Sequence, residues 1–396
     1  MRGALRVLCS VLADASLVRL AMRRTLVIGS LIMWSATIGL ARARTLADRF
    51  GPVTRPLGVA IADSIGRSLP TPAASAGLLF HFDPSTWAFT RETAIAGQLF
   101  LENPTPIGRG RWNIGLAYQW IRLDAVDGRR LDGLHDPGGP IRSPQGTFRL
   151  RRFDLALETH EALASVTWGA TDDLELNIAA PLLATRFGLD ARLDNTGSAL
   201  HQSLHARDTR VGIGDVLLRA KYRAVSAGIL QAALGAVLRL PTGSRDDFQG
   251  TGSVEAGPQV YIALGPLPLA EPLTARVYLN GGLDLRADDV DRSEARWGAG
   301  VDVAIADRAT LAIGVLARHP WQRTGAPGAF NVPRTSGNAP LLGLHNDRPD
   351  FYDASIGVRV DLWRALLIGF VHVLVPLNHD GFRPDVVPLA GVEAAF

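Results

Sequence analysis

The chain beyond residue 43 is dominated by short segments in which apolar and polar residues alternate. In 274–286, small and aliphatic side chains occupy the odd positions, whereas Arg276, Asn280 and Asp284 occupy even ones. A period of two indicates a β-strand with two different faces. The same pattern returns in 173–182, 214–223, 294–304 and 353–362. Segments of about ten residues with one aliphatic face and one face of mixed charge are typical of transmembrane β-barrels.

The alternation predicts an all-β fold, a transmembrane antiparallel β-barrel of about 12 strands. The predicted strands lie near 111–123, 149–169, 172–187, 210–223, 228–240, 252–264, 273–286, 293–304, 309–319, 350–361, 365–377 and 386–396. Short turns at 170–171, 224–227, 265–272, 305–308 and 362–364 alternate with connections at 124–148, 188–209, 241–251, 287–292, 320–349 and 378–385. Short periplasmic turns and longer external loops characterise outer-membrane barrels. We therefore expect residues 111–396 to form a barrel in the cell outer membrane of a Gram-negative bacterium.

Two segments fit the alternation poorly. In 149–169 the apolar positions change from odd to even, and a β-bulge near Thr159–His160 would reset the phase. In 365–377 both faces are apolar, which leaves the lipid-facing side open. Phe370, Val371 and Val373 on this segment are candidates for the apolar wall of a transport path.

Residues 1–43 have the features of a secretory signal peptide. Met22-Arg23-Arg24 precedes the apolar stretch 25–40, and Ala41-Arg42-Ala43 supplies a small-x-small cleavage site. A membrane anchor is the alternative, but a spanning helix needs about 20 apolar residues. Because Met22 onward already forms a complete signal, we hypothesise that translation starts at Met22.

Residues 44–110 differ from the rest of the mature chain. They contain several prolines and only weak alternation. Such a segment could lie in the periplasm or fold into the barrel lumen as a plug, and the sequence leaves both open.

Charge and composition exclude several classes of protein. The whole chain carries +3 and residues 1–43 alone carry +5, which leaves −2 for the remainder and no basic surface for nucleic acid. The apolar fraction of 47% excludes a mostly disordered chain. The single cysteine, Cys9, excludes a disulfide framework and a cysteine-based zinc site.

The sequence offers no constellation for catalysis. Neither Gly-x-Ser-x-Gly nor His-Glu-x-x-His occurs, and His201 and His205 on a predicted loop are weak evidence for a metal. We therefore predict no catalytic residues, no metal and no cofactor, and a protein that is not an enzyme.

Charged side chains on the inward faces of the predicted strands are the candidate pore-lining residues. The two signs occur in similar numbers, which favours pairing across the interior and a narrow or gated channel. The set comprises Glu175, Asp215, Arg219, Lys221, Arg223, Arg239, Glu255, Arg276, Asp284, Arg296, Asp302, Arg318, Asp353, Arg359, Asp361 and Glu393.

Several motifs resemble one family of outer-membrane barrels. They are Gly97–Pro104 (GQLFLENP), Ile107–Asn113 (IGRGRWN), Trp168–Leu176 (WGATDDLEL), Gly212–Val216 (GIGDV) and Leu240–Ser244 (LPTGS). Over roughly 95–265 the chain is similar to the family named for the MetA pathway of phenol degradation. The resemblance implies an outer-membrane barrel that moves small hydrophobic, often aromatic, molecules. The terminal Phe396 looks like the signal read by the outer-membrane barrel assembly machinery.

Three functions remain in contention. The first is a channel or transporter for a small hydrophobic or aromatic molecule, formed by a monomer in outer-membrane lipid. The second is a plugged structural or surface-interaction barrel, with contacts made by loops 124–148 and 320–349. The third is an outer-membrane hydrolase, which the lack of a nucleophile–base pair disfavours.

Overall fold

A computed structural model describes most of the chain beyond residue 44. The described residues are 45–50, 58, 80–83, 88–91, 100–143, 146–197, 201–305, 308–321, 331–343, 350–363 and 366–396. The predictions of a signal peptide and of a start at Met22 concern residues outside this set. Within it, no helix has the length and apolar character needed to cross a membrane.

The described residues form strands and a few short 3₁₀ turns. The strands are β1 Phe80–Asp83, β2 Ala88–Arg91, β3 Trp112–Val126, β4 Arg129–Arg130, β5 Ile141–Ser143, β6 Gly146–Gly169, β7 Leu174–Asn195, β8 His201–Ile213, β9 Val216–Ala227, β10 Leu230–Leu240, β11 Glu255–Ala270, β12 Leu273–Arg286, β13 Glu294–Ile305, β14 Ala309–Pro320, β15 Asn331–Arg334, β16 Gly337–Pro340, β17 Phe351–Trp363, β18 Leu367–Pro376, β19 Phe382–Pro384 and β20 Val387–Ala395. The 3₁₀ turns are Ala47–Phe50, Arg245–Asp247, Val290–Arg292 and Leu341–Gly343.

The strands close into an antiparallel barrel. The last strand pairs with the first, with Ala395 opposite Asn113. Strands β8 and β9 both pair with β7 and together make one wall strand. The wall therefore consists of β3, β6, β7, β8–β9, β10, β11, β12, β13, β14, β17, β18 and β20, which confirms the predicted 12-strand barrel. Closure pairs the backbone groups of the wall, as lipid requires.

The outer face of the barrel carries the apolar belt that the alternation predicts. Leu116, Ile178, Leu279 and Ile313 are each about half exposed on four different strands. Trp112 stacks on Trp168 at the end of the wall where the chain terminus lies, with ring centroids 6.0 Å apart. Aromatic residues at the opposite end of the belt complete a second girdle: Tyr118, Trp120, Trp297 and Tyr352. An apolar band between two aromatic girdles is the surface that an outer-membrane barrel presents to lipid.

The long strands β6 and β7 extend past the external girdle. Beyond it, their apolar side chains lie on the inner face and their charged side chains on the outer face. Leu189, Ala191 and Leu193 point inward and are nearly inaccessible, while Asp190 and Asp194 lie on the outer side. Above the lipid, water surrounds the wall and the interior is apolar. The prediction of a loop at 188–209 is therefore wrong over most of its length, because β7 extends to Asn195 and pairs there with β8, which begins at His201.

The same change of the apolar face corrects the predicted bulge. The odd residues of β6 face inward from Phe153 to Thr167, and the register with β7 is unbroken near Thr159–His160. The apolar side changes because the surroundings change along the strand. The wall strand β8–β9 instead shifts phase at Gly214–Asp215, where one extra residue separates the pairs Leu182–Ile213 and Ala179–Leu217.

Candidate functional site: the barrel interior

Residues 100–107, which precede β3, run against inward-facing side chains from three parts of the wall. Lys221 Nζ on β9 donates to the carbonyl oxygen of Asn103 at 2.7 Å. Asn280 Nδ2 on β12 donates to the carbonyl oxygen of Glu102 at 3.2 Å. The backbone N–H of Ile107 donates to Glu175 Oε2 on β7 at 2.9 Å. These contacts hold the segment within the interior.

A buried ion cluster anchors this segment. Lys221 Nζ lies 2.7 Å from Glu175 Oε1 and 3.4 Å from Glu102 Oε2. All three side chains are at most 11% exposed, so the pairing offsets the cost of desolvating the charges. The structure thus brings together two predicted pore-lining residues. Glu102 was not among them, although the motif that contains it carried part of the family resemblance.

Other predicted charges pair with one another along the wall. Arg239 binds Glu255 at 3.1 Å, and Arg359 lies 3.4 Å from Glu393. Arg296 lies 2.6 Å from Asp284. Arg276 and Asp302 are opposite each other in the register of β12 and β13. Two members of these networks were missed by the sequence reasoning, namely Arg286, which lies 3.9 Å from Glu255, and Glu294, which lies within 3.9 Å of Arg318.

Some predicted pore-lining residues hold the ends of the wall instead. Asp215 accepts hydrogen bonds from the backbone N–H groups of Gly243 and Thr251, so it braces the external loop 241–254. Arg223 binds Asp173 at the short turn. Asp353 pairs with Arg383 near the external end of β17. These members of the set serve local structure.

The remaining predicted residues are Arg219 and Asp361. Arg219 lies on β9 with its side chain directed inward, next to Lys221 in the alternation. Asp361 lies near the opposite end of β17, where its backbone N–H donates to the carbonyl oxygen of Arg308 at 2.9 Å.

The three residues predicted for an apolar wall lie on two different faces of β18. Phe370 points inward and is 5% exposed, whereas Val371 on the same strand is 59% exposed on the outer face. Val373 shares the phase of Val371, so both valines lie on the outer face and not in the interior. Phe370 belongs to an apolar cluster in the middle of the interior, here called the central apolar cluster: Ala117, Leu163, Ala179, Leu217, Phe370 and Leu389, with Phe100 packed against it.

The external end of the interior is filled by a larger apolar cluster, here called the external apolar cluster. Wall residues such as Phe153, Leu157 and Phe187 meet residues from two external loops. The loop residues are Leu131, Leu134, Ile141, Val332, Leu341 and Leu342. Residues 127–143 and 331–343 therefore fold over the barrel mouth and bury apolar side chains there.

A buried ion pair locks the two loops together. Arg334 donates to both carboxylate oxygens of Asp136, at 2.6 and 2.9 Å, and both side chains are 0% exposed. Asp136 also accepts from the backbone N–H of Leu342 at 3.0 Å. Arg334 donates in addition to the carbonyl oxygen of Gly139 at 2.7 Å. Asp136 and Arg334 were not predicted, because their importance depends on two loops that are distant in sequence.

The first described residues of the chain insert into the external apolar cluster. Phe50 packs against Phe187 and Phe248, with ring centroids 5.3 and 6.4 Å apart. The backbone N–H of Leu46 donates to Asp247 at 3.0 Å, and Arg49 binds Asp208 at 2.7 Å. Residues 45–50 thus occupy an apolar site at the external end.

The ion pair between Arg49 and Asp208 predicts that the attachment of residues 45–50 to the barrel depends on pH. Burial alone would raise the pKa of Asp208, but hydrogen bonds from Arg49 and the backbone of Thr209 hold the pKa below its ordinary value of 3.8. A carboxyl with a lowered pKa contributes its full stabilisation above the ordinary value and loses it as the pH falls through the lowered one. An environment-sensitive dye on Thr45→Cys should therefore report a fixed segment at neutral pH and release only below about pH 4. In Asp208→Asn the dye should report a looser segment at neutral pH; an unchanged signal there would contradict the role of this ion pair.

The described residues hold little that could support catalysis. No group of three or more metal-binding side chains occurs among them. His201 and His205 each pair with an aspartate on the outer face, Asp194 and Asp190. His319 lies between Asp350 and the indole N–H of Trp297, so both of its ring nitrogens are engaged without a nucleophile.

Comparisons with known proteins agree with the resemblance found in the sequence. The family model described as MetA-pathway of phenol degradation matches residues 137–295, which confirms the resemblance for the motifs from Trp168 to Ser244. The motifs Gly97–Pro104 and Ile107–Asn113 lie outside the matched residues. No curated protein sequence matches the chain.

Solved structures of outer-membrane barrels are similar at low identity. The COG4313 outer membrane channel of Pseudomonas putida F1 is 17% identical, with a TM-score of 0.47 over 74% of this chain and 98% of that one. A mutant of the monoaromatic hydrocarbon channel TodX is 11% identical, with a TM-score of 0.36 over 74% and 91%. A Pseudomonas aeruginosa FadL homologue is 12% identical, with a TM-score of 0.34 over 81% and 96%.

Proposed function

We propose that the protein is a gated outer-membrane channel for small hydrophobic or aromatic molecules. The observation that carries the proposal is the apolar interior. The external apolar cluster at the mouth and the central apolar cluster below it lie inside a barrel whose other inward side chains are polar and include paired charges. A structural barrel could fill its interior with paired charges alone. Two apolar clusters in succession offer an apolar solute favourable surroundings along the interior.

We infer that residues 44–110 act as a plug that closes the interior. The contacts of residues 100–107 with Lys221, Glu175 and Asn280 support this assignment. Residues 45–50 occupy the external apolar cluster, where they present apolar side chains comparable to those of an aromatic solute. Passage would therefore require the plug and the two external loops to move.

A plugged scaffold is the second candidate. It is favoured by the fully buried Arg334–Asp136 pair, which fixes the loops that would make external contacts. In that case the apolar interior would serve packing only, and changes in the interior would alter stability without altering permeability.

Solute influx distinguishes the two candidates. The mature protein in proteoliposomes should admit a labelled monoaromatic acid faster than a sugar of similar mass. Phe370→Gln should reduce aromatic influx by about tenfold, because burying an apolar side chain of this size is worth roughly 1.5–3 kcal/mol. Val371→Leu on the outer face is the matched control and should leave influx unchanged.

The two possible failures have different meanings. Equal influx of the aromatic and the sugar would indicate an unselective pore. No influx above protein-free vesicles, in a preparation that is folded, would favour the plugged scaffold.

A further inference from the structure

A charged row crosses the outer face of the barrel directly above the apolar belt. In the register of β3, β6, β7 and β8, Trp120, His160, Ala184 and Val211 form one row. The next row towards the external end contains Arg122, Glu158, Arg186 and Thr209. Two residues along a strand correspond to roughly 7 Å. The surface thus changes from apolar to basic at the height where lipid headgroups begin.

An open groove of about 370 Å³ lies at this level. Small residues, Ala156 and Gly188, contribute to its lining, together with the cations Arg186 and Arg207. Arg186 is 62% exposed. Within the described residues, no carboxylate lies within 4.0 Å of Arg207. The groove therefore presents at least one guanidinium, that of Arg207, with no ion-pair partner in the part of the chain that the structure describes.

The acidic residues of the groove are already engaged. Glu158 Oε1 accepts from the indole N–H of Trp120 at 2.6 Å, and its other oxygen lies 3.7 Å from Arg186. Asp208 binds Arg49 and Arg210. Arg122 lies opposite Glu158 in the register, next to the groove that Arg186 and Arg207 line. These three guanidinium groups outnumber the carboxylates that could neutralise them. Such a site attracts an anion.

We propose that this groove binds a phosphate of the phosphorylated glycolipid that forms the outer leaflet. Guanidinium groups recognise phosphate oxygens through paired hydrogen bonds. Basic side chains next to a membrane-spanning segment favour anionic lipid headgroups. The site lies on the outside of the wall, so it is separate from the interior path and would fix the lipid around β6, β7 and β8.

Lipid A binding to the mature protein in detergent tests the assignment, with bound lipid counted by native mass spectrometry. Lipid A carrying both phosphates should bind, and the form without phosphates should bind at least about tenfold more weakly. The double variant Arg186→Gln/Arg207→Gln should lose affinity by about tenfold, as expected for two surface cations facing anionic lipid. Arg152→Gln is the matched control, because Arg152 lies on the same outer face, exposed and further from the belt.

A second variant tests the groove without removing charge. A Cβ at Gly188 would meet only Ala156, at ordinary contact distance of 3.7 Å, so Gly188→Leu should fold and occlude the floor. It should also weaken binding of phosphorylated lipid A. Unchanged binding in both variants would overturn the proposal. Equally effective competition by inorganic phosphate at the same concentration would reassign the site to free phosphate and would likewise overturn it.

Discussion

Replacing Asp136 with Ala should destabilise the external end of the barrel more than any other single change in the loops. The variant leaves the Arg334 guanidinium buried at 0% exposure without its carboxylate. Removing one partner of a buried ion pair costs about 3–5 kcal/mol. The free energy of unfolding, measured by denaturant titration in detergent, should fall by about that amount. Limited proteolysis should show faster cleavage within residues 127–143 and 331–343.

Two further variants distinguish the loss of the buried Arg334–Asp136 ion pair from the loss of any charge in the loops. Asp132→Ala removes one partner of the exposed pair between Arg130 and Asp132 in the same loop, where both side chains are over 60% exposed, and should cost almost nothing. The double variant Asp136→Leu/Arg334→Met should recover much of the stability, because apolar replacements of a buried pair are often neutral. Equal proteolysis of Asp136→Ala and the unaltered protein would show that this pair does not hold the loops.

The membrane-embedded part of the fold could be predicted from the sequence because lipid imposes a simple rule on it. The bounds predicted for the strand at 273–286 are those of β12. The rule ends where the wall leaves the membrane. In that part of β7 the apolar residues, such as Leu189 and Leu193, lie on the inner face. Alternation alone does not say which face of a strand is exposed to water. The bulge was consequently predicted near Thr159–His160, whereas the register of β6 shifts between Leu150 and Arg152. A second shift of phase lies at Gly214–Asp215 in the wall strand β8–β9.

The sequence predicts that charged side chains point into the interior, but it does not predict which of them form ion pairs. An inward charge such as Lys221 is identified by its position in the alternation of a strand. Its partner Glu102 lies on a segment outside the strands, where no alternation identifies it. The loop lock between Asp136 and Arg334 depends on tertiary contact between residues 198 positions apart. Phe370 and Val371 were grouped because both faces of their strand are apolar, and only the structure separates them.

Deleting residues 45–107 should produce the largest change in permeability. The deletion removes residues 45–50 from the external apolar cluster and residues 100–107 from their contacts with Lys221 and Glu175. A 12-strand wall is wider than the eight-strand barrels that side chains alone can fill, so water should enter the emptied part. Single-channel conductance in planar bilayers should rise from near background to clear open events. Glu271→Gln, at the exposed turn between β11 and β12, is the control; it removes a carboxylate away from the segment and should leave conductance near background.

In the proposed route the external loops and the plug close the interior one after the other. This order predicts how the effects of the loop variant and the deletion combine. When barriers lie one after another, the higher remaining barrier limits the flow. Asp136→Ala alone loosens the loops but leaves residues 100–107 in place, so its conductance should stay low. The deletion of 45–107 alone leaves the loops locked by Arg334, so its events should be brief. The combined variant should conduct more than the sum of the two single changes. Simple additivity of the two effects would mean that the loops and the plug close separate paths, and the single gated route proposed here would then be wrong.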